Sequence, residues 1–391
     1  MTNFAKKKIE DMDDKVSRLT DYILRGIFGL VFMFSGFVKA VDPMGTAYKV
    51  EEYLNVFGFG FMLNDALTFP IIIAVFLCVM EFTIGVTMFL HIYKKPVRWV
   101  ALLFMLFFTI TTLIDALTNN VDDCGCFGDA IKLTNWQTFW KNIVLDVILM
   151  GIFMFDKKAK EDYSKRLPLV VTIAALLLGV GFSVRNIMYE PIIDFRPWKV
   201  GNKMAPTLDE QKPPLAYATY KNNATGEEKE FSMASEGEGT LMKAYEEDPD
   251  FAEHWTYVEG KERIINTNTI AADGFSLVEL GEVKDESLDV IGDTTQDLYI
   301  IAVWNLKTAS EKGMKRLMQY VNKLDKEKNN IILITATSPK DWYDFSEKYS
   351  LQDYLFYSCD DKVIKAMIRS NPGLVHIKKA VVKEKFAWRN L

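Results

Sequence analysis

The sequence predicts an α-helical transmembrane bundle, four helices with a fifth span added, followed by a soluble α/β domain. Three observations lead there. Five apolar stretches precede Glu190, each near the ~20 residues a helix needs to cross a bilayer. The loops between them alternate between rich and poor in basic residues. From Gln296 onward, short apolar runs alternate with amphipathic ones, the pattern of strands alternating with helices.

The apolar stretches run from Tyr22 to Ala40, Thr68 to Leu90, Val97 to Leu117, Trp136 to Phe155 and Pro168 to Met188. Residues 1–21 read as a charged cytoplasmic tail, 22–155 as a four-helix membrane domain, and 156–189 as a cytoplasmic loop with the fifth span. The first stretch lacks a small-residue cleavage site and is expected to stay as an anchor. Lys6, Lys7, Lys8, Lys15 and Arg18 lie in the tail, Lys94, Lys95 and Arg98 in the second loop, and Lys157, Lys158, Lys160, Lys165 and Arg166 in the fourth. The alternate loops hold only Lys49 and Lys132, a ratio of thirteen to two. Basic residues stay cytoplasmic during insertion, so the N-terminus is expected inside and everything from Glu190 outside. Tyr22, Tyr93, Trp99, Trp136, Trp140, Tyr189 and Trp198 stand near the expected boundaries, where amphipathic rings favour the headgroup layer.

Between the third and fourth spans lies Asp122-Asp123-Cys124-Gly125-Cys126-Phe127-Gly128-Asp129. Two thiols one residue apart either close a small disulfide or present two sulfurs to one partner, and the flanking glycines permit the tight backbone this requires. The expected chemistry is thiol-disulfide exchange at Cys124 and Cys126, in a compartment where a disulfide persists. Asp122, Asp123 and Asp129 would raise a thiol pKa here, so Lys39 or another cation must offset them. With four cysteines in all and no histidine beside the pair, neither a disulfide-stapled secreted fold nor a metal site is indicated. The net charge of -6 carries no basic block, which argues against nucleic acid as a partner. Cys78 and Cys359 read as buried apolar residues.

Arg25, Lys39, Glu81, Asp115 and Asp146 fall within the spans, where an ionisable group costs ~2.5 to 3.5 kcal/mol unless it is paired or wet. Depth counted from the span ends groups Arg25 with Glu81 and Asp146, and Lys39 with Asp115 near the Cys-x-Cys loop. Lys141 and Arg185 are expected to snorkel to the outer surface.

The segment from Arg25 to Pro43, with Gly36-Phe37-Val38-Lys39, and the segment Glu81-Phe82-Thr83-Ile84-Gly85 resemble the first two spans of the DoxX family. Cys124-Gly125-Cys126-Phe127-Gly128 after the third span resembles the MauE branch of that group, and the longer form with a fifth span and a tail is similar to its Bacteroidetes-type members. The resemblance covers about residues 20 to 155. It implies a four-helix bundle in a bacterial inner membrane and a redox context beside a thioredoxin-like partner.

Residues 190–290 are polar, punctuated by Pro213-Pro214, Asn222-Asn223 and Gly226, and read as a β-rich extracytoplasmic segment. Residues 291–391 then give a strand at Leu298 to Trp304, a helix at Ser310 to Leu324, a strand at Asn330 to Ala336, a helix at Pro339 to Tyr349, a strand at Tyr354 to Ser358, a helix at Lys362 to Arg369, and a hairpin of Gly373 to Lys378 and Ala380 to Lys383. This order is similar to that of membrane-tethered thioredoxin-like proteins, in which Phe275 to Glu279 would be the leading strand and Ser370-Asn371-Pro372-Gly373 the cis-proline turn. After Trp304, where such proteins carry Cys-x-x-Cys, this chain has Asn305-Leu306-Lys307-Thr308. The resemblance therefore implies a non-catalytic domain that docks a partner or substrate.

The reading that follows is an inner-membrane protein with a periplasmic C-terminal domain, in contact with lipid and with an extracytoplasmic protein partner. Its Cys-x-Cys pair passes electrons to a quinone, the candidate cofactor, near Lys39, Glu81 and Asp115, or exchanges with a separate thioredoxin-like protein. Two other classes stay open. One is a non-catalytic scaffold or assembly subunit of an envelope complex, in which the pair staples a loop. The other is a transporter using the mid-membrane carboxylates, although no paired Gly or Pro breaks mark a substrate site.

Overall fold

A computed structural model describes residues 3–63, 68–119, 121, 125–155, 166–235, 237–266 and 268–391, with side chains from residue 15. Six helices come first: α1 (Asn3–Val41), α2 (Pro43–Val56), α3 (Thr68–Phe89), α4 (Lys94–Thr118), α5 (Asn135–Phe155) and α6 (Arg166–Met188). Among the described residues, five stretches are long and apolar enough to span a membrane: Lys15–Val41 of α1 and the whole of α3, α4, α5 and α6. Helices α1, α3, α4 and α5 share a core built on Phe28, Phe32, Ile84, Met105 and Leu149. The fifth span, α6, packs outside this bundle against α3, with Gly179 facing Val79. Such packing gains nothing from expelling water, so it relies on close fit.

Glycine provides that fit between α1 and α3. A Cβ on Gly29 would lie 2.7 Å from the Phe89 amide nitrogen and 2.8 Å from the Gly85 carbonyl. A Cβ on Gly85 would lie 2.7 Å from Met33 Cγ. Only bare backbone lets the two helices cross this closely, and the crossing brings Ser35 and Lys39 of α1 against Glu81 of α3.

Helix α2 occupies the loop between the first two spans, where the sequence reading placed no helix. Asp42 caps it, accepting a hydrogen bond from the Gly45 amide at 3.1 Å, and Pro43 opens it with a φ already suited to a helix.

The remainder of the chain holds two sheets. Strands β1 (Leu215–Asn222), β2 (Glu228–Ser232), β3 (Trp255–Tyr257) and β4 (Arg263–Ile265) form a small antiparallel sheet beside helices α7 (Leu241–Glu247) and α8 (Phe251–His254). Next come β5 (Val278–Glu279), α9 (Ser287–Gly292), β6 (Asp297–Ala302), α10 (Glu311–Val321), β7 (Asn329–Thr335), α11 (Pro339–Tyr349), β8 (Leu355–Ser358), α12 (Asp361–Met367), β9 (Gly373–Lys378) and β10 (Val381–Ala387). These build a six-stranded sheet in the order β10-β9-β6-β7-β8-β5, in which β6, β7 and β8 run parallel and the rest antiparallel to their neighbours. Leu298, Ile300 and Ala302 face one core while Tyr299, Ile301 and Val303 face the other. Burial on both faces is why β6 reads as an unbroken apolar run.

Two expectations fail here. The leading strand at Phe275 to Glu279 shrinks to Val278–Glu279, because the Leu277 amide donates to the Asp285 carboxylate at 3.1 Å and not to a neighbouring strand. Trp198 is not at a membrane boundary; it is fully buried in the α/β core, its ring 4.9 Å from that of Phe275. The segment carrying it covers the β10 edge, with the amides of Gly201 and Met204 donating to the carbonyls of Val382 and Ala380.

Candidate functional site

The Cys-x-Cys hairpin sits over one end of the bundle, and the structure describes it from Gly125 onward; Asp122, Asp123 and Cys124 lie outside the described residues. Gly125 and Gly128 have φ of 59° and 50°, and the Gly128 amide donates to the Gly125 carbonyl at 3.0 Å, closing a tight turn around Cys126 and Phe127. Phe127 anchors this turn. Its ring lies 5.4 Å from that of Phe34 on α1, and Lys141 Nζ sits 4.7 Å from its centre. Lys141 thus turns toward the hairpin. Arg185 is exposed at the end of α6 and donates to the Glu190 carbonyl.

Beneath Cys126 lies a buried polar cluster. Lys39 Nζ is 2.5 Å from Glu81 Oε1, and both side chains are almost wholly out of solvent. The Ser35 hydroxyl, one helical turn from Lys39, lies 2.7 Å from Glu81 Oε2 and 2.8 Å from the Cys126 carbonyl oxygen. A hydroxyl has one proton, so Ser35 donates to one of these acceptors at a time. Lys39 Nζ also donates to Ser35 at 3.3 Å and lies 5.2 Å from the Phe108 ring centre.

These pairings correct the ones drawn from depth alone. Glu81 joins Lys39, not Arg25 and Asp146. Arg25 donates to Asp21 one turn earlier at 2.8 Å, and Asp21 also takes Lys94 at 3.1 Å. Asp146 accepts from Thr109 on α4 at 2.8 Å. Asp115 accepts from the Tyr53 hydroxyl of α2 at 2.5 Å and does not meet Lys39. Depth fixes height along the bundle but not rotation about each axis, and the Asp115 partner lies on a helix that was not foreseen.

Ser35, Lys39, Glu81 and Cys126 line a cavity of about 20 Å³. That volume admits roughly one water and no quinone ring, so the quinone expectation does not fit here and no step is drawn through one. Among the described residues no His, Cys, Asp or Glu group is placed to hold a metal. Cys78 and Cys359 are buried, and burial pushes the Cys359 thiol up to about 12, which keeps it inert at neutral pH.

The α/β domain reaches this end of the bundle through residues the sequence reading did not single out. Arg369, just before Ser370-Asn371-Pro372, grips Asp42 with Nη2 at 2.6 Å and Nε at 3.0 Å, and its Nη2 lies 3.6 Å from Asp129 at the end of the hairpin. Its backbone amide donates to Glu190 at 2.9 Å. Arg196 and Lys385 both pair with Asp194 at 2.7 Å. Burial would raise the Asp42 and Asp194 carboxyls, but the facing cations hold both below the usual carboxylate range. Burial does raise Asp129, by more than the charge of Arg369 lowers it.

Replacing Ser35 with alanine is expected to strand the buried Cys126 carbonyl, costing about 1–3 kcal/mol, and to quicken alkylation of Cys126 by maleimide in reduced protein. Unchanged labelling would mean that the hydroxyl does not hold the turn.

Fold and site together define a helical membrane protein whose α/β domain docks on the hairpin end of its bundle. Residues 17–155 match the family described as methylamine utilisation protein MauE, a stretch that ends with α5, short of α6 and the α/β domain. The expected resemblance of this part to MauE is met. No curated protein and no solved structure matches the chain.

Proposed function

We propose that this protein carries out thiol-disulfide exchange on the extracytoplasmic side of a bacterial inner membrane, through Cys124 and Cys126. The reduced pair attacks a disulfide of a partner protein. Its own S–S bond forms as the partner's breaks, two electrons pass to the partner, and the two thiol protons end on the partner's sulfurs. Reduction of the pair by another dithiol protein closes the cycle by the reverse steps.

The observation that carries this reading is the seating of Cys126 directly over Lys39, Glu81 and Ser35, a cation, a carboxyl and a hydroxyl sealed from solvent. A thiolate needs a nearby positive charge and a group to take its proton, and this cluster supplies both. The likeness of residues 17–155 to MauE agrees with a redox or maturation role at a membrane.

The C-terminal domain serves as a thioredoxin-like but non-catalytic dock. The parallel β6-β7-β8 core supports this, as does the turn at Asn371-Pro372, whose peptide bond is cis and whose Asn371 carbonyl accepts from Ser310 at the start of α10. Asn305 to Thr308 brings no thiol to that helix start.

One observation favours the scaffold reading. Cys126 is only 9% exposed, as a structural staple would be. Cells carrying Cys124→Ser with Cys126→Ser separate the two. Exchange predicts a changed thiol state in extracytoplasmic proteins trapped with maleimide; a scaffold leaves it unchanged, which would end the exchange reading.

A further inference from the structure

Between the bundle and the α/β domain lies a cavity of about 730 Å³, far larger than the pocket beneath Cys126. Residues from Asp42 to Val56 line it, at helical spacing along one face of α2. That helix has 14 residues, so the face runs for roughly 20 Å. Gly125, Gly128 and Asp129 of the hairpin close the end beside Asp42, where Arg369 bridges Asp42 and Asp129. The far wall is the face of α12 that carries Lys362, Lys365 and Ala366. Ion pairs tie the walls across the gap, with Lys362 3.4 Å from Glu52 and Lys365 3.9 Å from Glu51.

Resting on the exchange reading above, we infer that this groove binds an extended, cysteine-bearing polypeptide segment and delivers its sulfur to the Cys124 and Cys126 hairpin. Length selects the ligand class. An extended chain advances about 3.3 Å per residue, so the α2 face matches about six residues. A free low-molecular-weight thiol would occupy only a corner of it. Charge agrees: carboxylates and cations line the groove in equal number, and Asp42, Glu51 and Glu52 each face a cation across it or beside it. The lining therefore offers no concentrated charge of one sign to fix a small anion. Shape and bare backbone at the glycine turn are what it offers a peptide. Because one wall belongs to the α/β domain, docking of that domain completes the groove.

The test uses reduced full-length protein in detergent micelles and two probes that release the same coloured thiolate. One is a hexapeptide with a single cysteine held as its mixed disulfide with thionitrobenzoate; the other is the symmetric thionitrobenzoate disulfide. Ala366→Trp fills the groove without touching the hairpin, and Lys49→Trp fills it from the opposite wall should the first variant fail to fold. The expected result is a peptide rate about tenfold lower in the filled variant with the small-probe rate unchanged. Equal loss of both rates, or loss of neither, overturns the groove assignment and leaves the exchange reading standing. No reaction of wild-type protein with either probe, in a sample that shows four free thiols after denaturation, the pair together with Cys78 and Cys359, overturns both.

Discussion

Replacing Lys39 with methionine is expected to destabilise the bundle by about 3–5 kcal/mol, because it leaves Glu81 buried without its cation. Glu81→Met should cost a similar amount by stranding the ammonium. The double variant should return to about wild-type stability or exceed it, since two apolar side chains of similar volume remove the desolvation penalty along with the attraction. Denaturant titration of the detergent-solubilised protein, followed by tryptophan fluorescence, reads all three. A Lys39→Met variant as stable as wild type would show that the pair is not sealed from solvent. The double variant has a second use: stable but unable to exchange thiols, it would separate the chemistry of this cluster from its structural part.

Arg369→Met is expected to loosen the α/β domain from the bundle. Its guanidinium is buried and bonded to Asp42 at two points, and truncating such a partner costs about 2–5 kcal/mol, much of it from the charge left behind. Hydrogen exchange should speed up in α2 and in residues 125–129 while the central strands β6 and β7 keep their protection. Acid should mimic the variant. The folded-state pKa of Asp42 is depressed, so its contribution is fully present above the ordinary carboxylate value near 3.9 and is lost as pH falls through the lower folded value. Docking should thus hold at neutral and mildly acidic pH and weaken only below about pH 4. Unaltered protection of α2 in Arg369→Met would remove the clamp.

The spans were legible because a membrane demands long apolar helices whatever they pack against, and α3 and α6 fall within two residues of the limits read from sequence. Strands β6, β7 and β9 were legible for a related reason, since burial on both faces leaves a continuous apolar run. Partners inside the bundle were not. Lys39 and Asp115 lie at similar depth, yet the crossing at Gly29 and Gly85 turns Lys39 toward Glu81, and Tyr53 reaches Asp115 from α2. Helix α2 had a readable start in Asp42-Pro43, but its mixed polar face gives a weak periodic signal. The Arg369 clamp joins residues more than three hundred positions apart, and no local pattern encodes a contact of that kind. Cys124 and Cys126 stood out from the sequence at once, whereas the serine, lysine and glutamate that seat Cys126 emerged only from helix rotation.

The reduction potential of the Cys124 and Cys126 pair most directly separates an exchange centre from a staple. Purified protein equilibrated across glutathione buffers and trapped with maleimide should titrate as one two-electron couple above roughly -300 mV, in the range of exchanging dithiols. A pair that stays oxidised in every buffer, with a potential below about -300 mV, would be a structural disulfide and would contradict thiol exchange as the function of this protein.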